Sequence, residues 1–445
     1  MRDRSSTEES AISVGRSTMA RRAAIGSAVG SALEWLDFTA YGAVSATVLP
    51  RLFFPTLDAN TAILASFATF GVGFCARPAG GIVFGLLGDR VGRKNVLLVT
   101  FALMGVSSML IGLMPPYSSI GIWAPALIVL LRFVQGFALG GESTGAQLFA
   151  MEHAPAGRRG LYGSFVNMAA PASQVLANGM LVAISSVLDD RAFLQFGWRI
   201  PFLMSVLLIL LGLYLRSRVS ETPAFEALKA RQVEVAGSAV GKPKVRVRDH
   251  WRTILRLLIF WGGPASCYYV VTVFSITFIV KHGLLSTRAT FLCLMSASVV
   301  AVGTTILGGA ATDRFGRKPP LIVASIVMLV TSCLYFRLLE TGSVVLTIVA
   351  MSLFAGSIQA QSGILPSFFS EQFPTSARYA GSALAYTGAN LLFASPTPFV
   401  AAWVTQRSEG STAGVTAICV GLVSASLLAL MISPETRFVD VDAPE

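Results

Sequence analysis

Long apolar runs alternate with short polar intervals along almost the whole chain. We count twelve runs, and each has about the 20 residues that a helix needs to cross the hydrocarbon core of a bilayer. Helices of this kind satisfy their own backbone hydrogen-bonding groups, as lipid requires of a spanning segment. The pattern therefore predicts twelve transmembrane helices, at 24–49, 61–87, 95–114, 122–150, 161–187, 198–216, 253–280, 289–311, 319–338, 343–369, 380–403 and 413–433.

One polar interval is much longer than the others and divides the runs into two groups of six. We interpret it as a linker, so the predicted fold class is an all-α integral membrane protein with two pseudo-symmetric six-helix bundles. The predicted domains are an N-terminal tail at 1–23, an N-terminal bundle at 24–216, a central linker at 217–252, a C-terminal bundle at 253–433 and a C-terminal tail at 434–445.

A repeated motif indicates that the two halves arose by duplication. The segment GLLGDRVGRK at 85–94 recurs as GAATDRFGRK at 309–318, and the offset is close to half the length of the chain. Duplicated bundles are typical of secondary transporters, which bind substrate at the midplane between their halves. A second set of residues recurs at nearly the same offset: Glu152, Pro155 and Arg159 correspond to Glu371, Pro374 and Arg378.

The composition excludes an ordinary soluble protein. Only 13% of the residues are charged and the mean hydropathy is +0.68, whereas about 25% are charged in a typical soluble domain. The formal net charge is +11, and most of the Lys and Arg residues lie in the tails, the linker and alternate intervals between the runs. That placement predicts cytoplasmic termini and a cytoplasmic linker, and it argues against a nucleic-acid partner.

Cysteine and histidine residues give no sign of a metal site. The five cysteines and three histidines are scattered singly, without the spacing of a zinc site or a disulfide framework. The sequence also lacks the motifs of metalloproteases and serine hydrolases. We therefore expect no metal, no cofactor and no enzymatic activity.

Several segments carry a resemblance to a known family. The repeated Gly-x-x-Gly-Asp-Arg-x-Gly-Arg-Lys segment resembles the loop signature of the major facilitator superfamily. The segments SALEWLDF, ARPAGG, RFVQGFALGGE and GWRIPF, at 31–38, 76–81, 132–142 and 197–202, resemble its metabolite:proton symporter branch, which includes citrate, 2-oxoglutarate, shikimate and proline/betaine carriers. The seventh span departs from that branch, because residues 273–277 read VFSIT where a Tyr-x-Pro-Thr kink is common.

Ionisable residues inside a span are costly to bury and are therefore candidates for function. In the first span Glu34 and Asp37 lie on one helical face, and paired carboxylates in poorly hydrated surroundings suit a proton carrier that works near neutral pH. The fourth span adds Arg132 and Glu142. We predict a proton-coupling site made of these four residues. The alternative is that the acids only form structural pairs with an arginine such as Arg77.

Substrate contacts are predicted from arginines and from stripes of neutral polar residues. Arg77, in the middle of the second span, must pair with a carboxylate side chain or with an anionic substrate. A polar stripe on the fifth span is expected to line the pathway, although hydrogen bonding between helices is the alternative. Arg199 resembles a substrate contact of dicarboxylate carriers, with a plain interfacial arginine as the alternative. The predicted set is Tyr41, Arg77, Asn167, Gln174, Arg199, Tyr268, Tyr386 and Asn390.

The family resemblance also implies a gate. In the superfamily the acidic residue and the arginines of the repeated loop hold the two halves together on the cytoplasmic side. Ion pairs in a shallow interface are weak enough to break and reform, as a gate requires. The gating residues predicted in this way are Gly85, Asp89, Arg90, Gly92 and Arg93 in the first copy, and Asp313, Arg314, Gly316 and Arg317 in the second.

Together these features predict a secondary active transporter in a bacterial inner membrane. It would carry a small organic acid, with one to three carboxylates, or a zwitterionic metabolite, together with protons, by alternating access. The alternatives are a facilitator or exchanger without proton coupling, and an osmoregulatory carrier of compatible solutes such as proline or betaine. The expected partners are the metabolite, protons and the lipid bilayer, and we expect the chain to act as a monomer.

Overall fold

The regular structure of the described residues is helical, as the apolar runs predict. A computed structural model describes residues 35–91, 93–140, 157–204, 206, 210, 247–374 and 377–436, and this part of the chain contains no strand. Seven of its helices are long and apolar enough to cross a membrane, and two shorter apolar helices accompany them. The predicted tail at 1–23, residues 437–445 and most of the predicted linker lie outside the described residues.

The helices of the N-terminal half follow the predicted spans. We number them in chain order and treat each interrupted helix as one unit. A one-residue break at Met168 interrupts α5. The bounds are 35–47 for α1, Ala59–Val91 for α2, Arg93–Leu113 for α3, Trp123–Leu139 for α4, Arg159–Val187 for α5 and 200–204 for the described part of α6.

The helices of the C-terminal half begin after a short 3₁₀ turn at Val247–His250. Serine side chains cap two of them, since Ser286 accepts from Ala289 N at the start of α8 and Ser343 from Leu346 N at the start of α10. The bounds are Trp251–Lys281 for α7, Thr287–Phe315 for α8, Lys318–Glu340 for α9, Val344–Ser370 for α10, Arg378–Arg407 for α11 and Ala413–Met431 for α12.

Two of these helices contain a π-helical turn. Residues Val270–Phe274 form one in α7, and Asn390–Ala394 form the other in α11. A π turn inserts an extra residue into the helix, so it rotates every following side chain relative to an ideal α-helix. In α7 this irregularity falls next to the segment where the family resemblance predicts a proline kink, so the helix is still irregular there without the proline.

Glycines let the helices within each half approach closely. Gly136 of α4 lies against the backbone of α2, where an added Cβ would stand 2.6 Å from the Cα of Gly73. In the second half Gly363 of α10 faces α8 in the same way, with its added Cβ 2.9 Å from the carbonyl carbon of Thr305. The same pair of helices in each half thus packs backbone against backbone, as small residues in membrane helices allow.

Among the described residues, four pairs of helices join the two halves. Helix α5 packs against α8 and α10, and α2 packs against α11. Helix α1 meets α7 through the rings of Trp35 and Tyr268, whose centroids are 6.1 Å apart. These contacts place the candidate residues of α1, α2, α5 and α7 around the axis between the halves, where secondary transporters bind their substrates.

Candidate substrate and proton site

A small cavity lies between the two halves, enclosed by α1, α2, α5 and α7. Gln174 and Tyr268, both predicted substrate contacts, line it together with aromatic residues. Its volume is about 10 Å³, which is room for about one water molecule. Two of the eight predicted substrate contacts therefore line a cavity that is too small for a metabolite in this conformation.

A buried polar network adjoins this cavity inside the N-terminal half. Asp37 of α1 is 2% exposed, and one of its carboxylate oxygens accepts from the hydroxyl of Ser108 on α3. The other oxygen accepts from the Nε2 group of Gln135 on α4, whose Oε1 accepts in turn from Arg132. The Gln135 amide thus connects the aspartate to the arginine, and no direct ion pair links these two side chains among the described contacts.

Aromatic rings enclose the two predicted arginines. The guanidinium carbon of Arg132, a fully buried residue, lies 3.7 Å from the ring centroid of Tyr41 and 4.8 Å from that of Phe38. The guanidinium carbon of Arg77 lies 4.8 Å from the ring centroids of both Phe38 and Phe74. Ring faces attract cations, so these contacts stabilise positive charge that a bilayer interior would otherwise disfavour.

Tyr41 lies between this network and α2. Its hydroxyl is 2.6 Å from the hydroxyl of Thr69, which donates to the carbonyl of Ser66. The residue is completely buried, so its ring contacts Arg132 while its hydroxyl is already bonded to protein. In this conformation Tyr41 supports the arginine and does not line the cavity.

Three other predicted substrate contacts make hydrogen bonds within the protein in this conformation, and two of these bonds join different helices. Asn167 of α5 donates across the halves to the carbonyl of Ser362 at 2.6 Å, as the alternative of hydrogen bonding between helices anticipates. Arg199 donates to the carbonyl of Gly112 at 2.8 Å and ties the start of α6 to the end of α3. Asn390 donates to the carbonyl of Tyr386 within α11.

The ring of Tyr386, another predicted substrate contact, stacks on Trp261 of α7 with centroids 6.1 Å apart.

Two predicted members of the proton-coupling site, Glu34 and Glu142, lie outside the described residues. The structure therefore brings Asp37 and Arg132 together and leaves those two glutamates as predictions.

The second copy of the predicted gate joins the two halves through backbone groups. The carboxylate of Asp313, at the end of α8, accepts from the backbone N–H groups of Gly160 at 2.8 Å and Leu161 at 2.9 Å. These are free donors in the first turn of α5, where a negative charge also interacts favourably with the helix dipole. One aspartate thus caps a helix of the opposite half. We call this side of the molecule the signature end.

Asp313 also belongs to a buried ion-pair network within the C-terminal half. Arg317 is 3.2 Å from Asp313 and donates to both carboxylate oxygens of Glu371, at 2.7 and 3.0 Å. Burial alone would lower the pKa of the Arg317 guanidinium, but the hydrogen bonds and charges of Glu371 and Asp313 raise it above its usual value. Glu435 completes the network, because its carboxylate accepts from the backbone N–H groups of Arg317 and Lys318.

The other predicted gating residues differ in placement. Arg314 is exposed, and its guanidinium carbon lies 5.8 Å from the ring centroid of Phe315. Gly316 ends α8 with a φ of +91°, a conformation that favours glycine. The first copy of the motif, Gly85, Asp89, Arg90, Gly92 and Arg93, lies outside the side chains that the structure describes.

The opposite end of the molecule is closed as well. The hydroxyl of Thr277 on α7 donates to the carbonyl of Ala46 on α1 at 3.2 Å. Lys281 and Gln406 of the C-terminal half donate to the side chain and the backbone of Asn60, at 2.7 and 3.1 Å. Contacts at both ends, with a small cavity between them, describe an occluded conformation.

The Asp313 cap gives a direct prediction. Asp313→Asn removes the charge and one of the two accepting oxygens, so the closed signature end should lose about 1–2 kcal/mol, a five- to thirtyfold shift towards open states. We expect a cysteine in place of Ser164, which is fully buried between the halves, to react faster with a thiol reagent once the other cysteines are replaced. Asp189→Asn, which changes an exposed aspartate cap far from this loop, is the control and should leave the rate unchanged. Equal rates in all three proteins would contradict the gating role.

The sequence matches the family model described as Major Facilitator Superfamily over residues 28–398. That match extends over most of the chain and includes the network around Asp37 and the contacts of Asp313. The chain belongs to the major facilitator superfamily. It is therefore an integral membrane transporter and not an enzyme, as the sequence predicts.

Relatives within the superfamily are named as carriers of small metabolites. The chain is 37% identical to the inner membrane metabolite transport protein YhjE of Escherichia coli K12 over 421 residues, which cover 93% of this chain and 94% of that protein. It is 34% identical to the shikimate transporter of the same strain, covering 97% and 98%. It is 35% identical to the proline/betaine transporter of Salmonella typhimurium LT2, covering 87% and 78%.

A solved structure of the superfamily has the same fold. The inward open conformation of the xylose transporter XylE from E. coli aligns with a TM-score of 0.73 and covers 94% of this chain and 97% of that one. The sequence identity is 18%, so this likeness concerns the fold alone. The prediction of a major facilitator fold is confirmed.

Several residues of the site were not predicted from the sequence. Gln135 received no role, although its three-residue spacing from Arg132 is a usable signal. Ser108 is one of several serines in α3, and nothing in the sequence distinguishes it from the others. Tyr269 and Glu435 also gave no signal, because their partners lie far away in the chain.

Proposed function

We propose that this transporter is a symporter that couples proton uptake to the transport of a small carboxylate-bearing metabolite, either an organic acid or a zwitterion. The observation that carries the proposal is the buried carboxylate of Asp37, which is held by side chains from α3 and α4 beside the cavity between the halves. A buried ionisable residue in a membrane span is expensive and marks a functional site. The network reaches the cavity through Phe38, which lines it and whose ring centroid lies 4.8 Å from the guanidinium carbon of Arg132.

The network suggests how proton and substrate binding depend on each other. When Asp37 is ionised, its charge and that of Arg132 compensate each other through the amide of Gln135. When Asp37 takes up a proton, the buried cation loses that compensation, which is costly in a site of low dielectric. A substrate carboxylate restores it, with Arg77 as a second attracting charge. Proton and substrate therefore enter together, which is the definition of symport.

The named relatives fit this substrate class, since shikimate, proline and betaine all carry a carboxylate. We further propose that the protein lies in a bacterial inner membrane as a monomer, with its termini and its signature end in the cytoplasm. That orientation rests on the distribution of Lys and Arg residues along the sequence.

Purified protein in liposomes tests the proposal. An inward proton gradient is imposed, internal pH is recorded, and pooled organic acids are added first, followed by pooled betaine and proline. We expect acidification that depends on one of the pools, and collapse of the gradient by a protonophore should abolish accumulation of the labelled substrate. Exchange of labelled substrate across the liposome membrane without any acidification would instead identify a facilitator or exchanger.

A further inference from the structure

A second cavity lies inside the C-terminal half, between α7, α11 and α12. Its volume is about 140 Å³, and it shares no lining residue with the cavity between the halves. In another protein an apolar cavity of about 150 Å³ stays dry and takes up benzene. The cavity in this chain therefore has space for a short piece of hydrocarbon, and we call it the lateral cavity.

The walls of the lateral cavity are almost entirely apolar. Among its lining residues only Ser266 and Thr397 carry a hydroxyl group, and Thr397 already donates to the carbonyl of Phe393 at 2.6 Å. Cys419 adds a thiol, which packs as a small apolar group. No charged side chain of the described residues lines the cavity. A ligand would therefore find van der Waals contacts there and very little hydrogen bonding.

The lateral cavity opens on the outer surface of the C-terminal half. Leu392 of α11 and Ile418 of α12 line it and are 61% and 36% exposed, whereas Val270 and Cys419, which form its floor, are buried. Helix α12 packs against α7, α9 and α11 of its own half. The opening beside Ile418 therefore lies on the side of the molecule that lipid surrounds.

The position of this opening along α12 determines which part of the bilayer meets it. Ile418 and Leu422 lie five and nine residues after the first residue of this 19-residue helix, which is roughly 8 and 14 Å at 1.5 Å per residue. The hydrocarbon core of a bilayer is about 30 Å thick. The opening thus lies near the middle of that core, where acyl chains end and where headgroups and water are absent.

Both π turns of the molecule border the lateral cavity. Val270 begins the turn in α7, and Leu392 and Phe393 belong to the turn in α11. Pro396 also lines the cavity, and it has no N–H group to donate to the carbonyl four residues before it. The cavity therefore lies where two irregular helices leave a gap against α12, and an occupant would contact both irregular turns.

We propose that the lateral cavity binds the end of an acyl chain of a membrane phospholipid, which enters between α11 and α12. The cavity is apolar, has the volume of a short piece of hydrocarbon and opens at the depth of the chain ends. A neighbouring transmembrane helix, about 10 Å across, is too wide to enter. The chain gains dispersion contacts that the walls of an empty cavity lack. This binding is independent of what the cavity between the halves carries.

A phospholipid with a photoreactive diazirine near the end of one acyl chain tests the proposal. The full-length transporter is reconstituted with this lipid and illuminated, and the modified residues are identified by mass spectrometry. We expect adducts on Val270 and Cys419, which are buried, as well as on Leu428, which is 68% exposed on α12. Val423 of α12 is the control, because it is fully buried and does not line the cavity. It should remain unmodified.

Two results of this experiment would overturn the proposal. Adducts confined to exposed residues such as Leu428 would show that no chain enters the cavity. Equal modification of Val423 and of the two floor residues would show that the lipid probe reaches buried side chains in general.

Variants of the cavity wall separate an acyl chain from a ligand that needs a hydrogen bond. Ala401→Leu fills the cavity and should lower the adducts on the floor at least fivefold, without changing those on the exposed surface. Val415→Phe is a second filling variant in case the first is unstable. Unchanged floor adducts in stable filling variants would contradict the assignment.

The hydroxyl of Ser266 provides the matched variant. It is buried in the wall of the cavity without a partner among the described residues, and hydrocarbon offers it none. Ser266→Ala should therefore keep the floor adducts within about twofold of the unmodified protein. A loss of these adducts in Ser266→Ala would show that the site selects a polar group, and the occupant would not be an acyl chain.

Discussion

Asp37→Asn is expected to abolish substrate accumulation driven by a proton gradient while leaving exchange of substrate across the membrane intact. The asparagine keeps the size of the side chain and can still bond to Gln135 and Ser108, so the packing of α1, α3 and α4 should survive. It cannot gain or lose a proton. At one proton per substrate, a gradient of one pH unit drives about tenfold accumulation, because a tenfold ratio corresponds to about 1.4 kcal/mol. The variant should show a ratio near one.

The measurement uses proteoliposomes, with accumulation under an imposed gradient compared with exchange of labelled substrate at equal pH. Asp58→Asn is the matched control. Asp58 is an exposed carboxylate before α2, and hydrogen bonds from Thr61 hold its pKa below its usual value, so it stays ionised throughout the assay. Its variant should accumulate substrate normally. If the Asp37 variant still reaches tenfold accumulation, the proton site lies elsewhere, and Glu34 and Glu142 become the next candidates.

Gly136→Ala should destabilise the N-terminal half strongly. The added Cβ would stand 2.6 Å from the Cα of Gly73, and both atoms belong to helix backbones that have no rotamer to change. The helices α2 and α4 must then separate, at a cost of about 1–3 kcal/mol or more. Separation would also pull Arg132 and Gln135 away from Asp37, so transport should fall together with stability.

Thermal unfolding in detergent and transport in liposomes measure the two effects. Gly421→Ala is the control, because this glycine lies in α12 with open space around its Cα. Alanine is the better helix former by about 1 kcal/mol, so the control should melt at the same temperature or higher. Equal melting of the two variants would show that the contact between α2 and α4 is not tight.

The fold could be predicted from the sequence because its signals are local or repeated. Apolar runs of spanning length mark each helix, and the duplicated decapeptide marks the two halves. Asp37, Arg77 and Arg132 stand out as charges within such runs. Their connection through Gln135 could not be predicted, since it depends on the rotation and depth at which α1 and α4 pack.

Helix α7 shows a second feature that the sequence could not predict, namely which residues share one face of the helix. At ideal spacing Tyr268, Thr272 and Ser275 share one face, and the first two do line the cavity. Ser275 instead bonds to the hydroxyl of Tyr335 on α9, and it also donates to the carbonyl of Val270 five residues back. The π turn between them rotates the rest of the helix, and no local residue pattern in this chain announces such a turn.

The two sides of the contact between Asp313 and α5 tolerate amino-acid substitution to different degrees. The carboxylate side depends on Asp313, and the N–H side depends on Gly160, where an added Cβ would stand 2.8 Å from Asp313 Oδ1. At position 161, in contrast, every residue except proline supplies the N–H donor. Substitutions at Leu161 can therefore accumulate during evolution without loss of this contact, and only proline would remove the backbone N–H donor. Because proline is tolerated in the first turn of a helix, Leu161→Pro would weaken the contact between Asp313 and α5 without breaking α5.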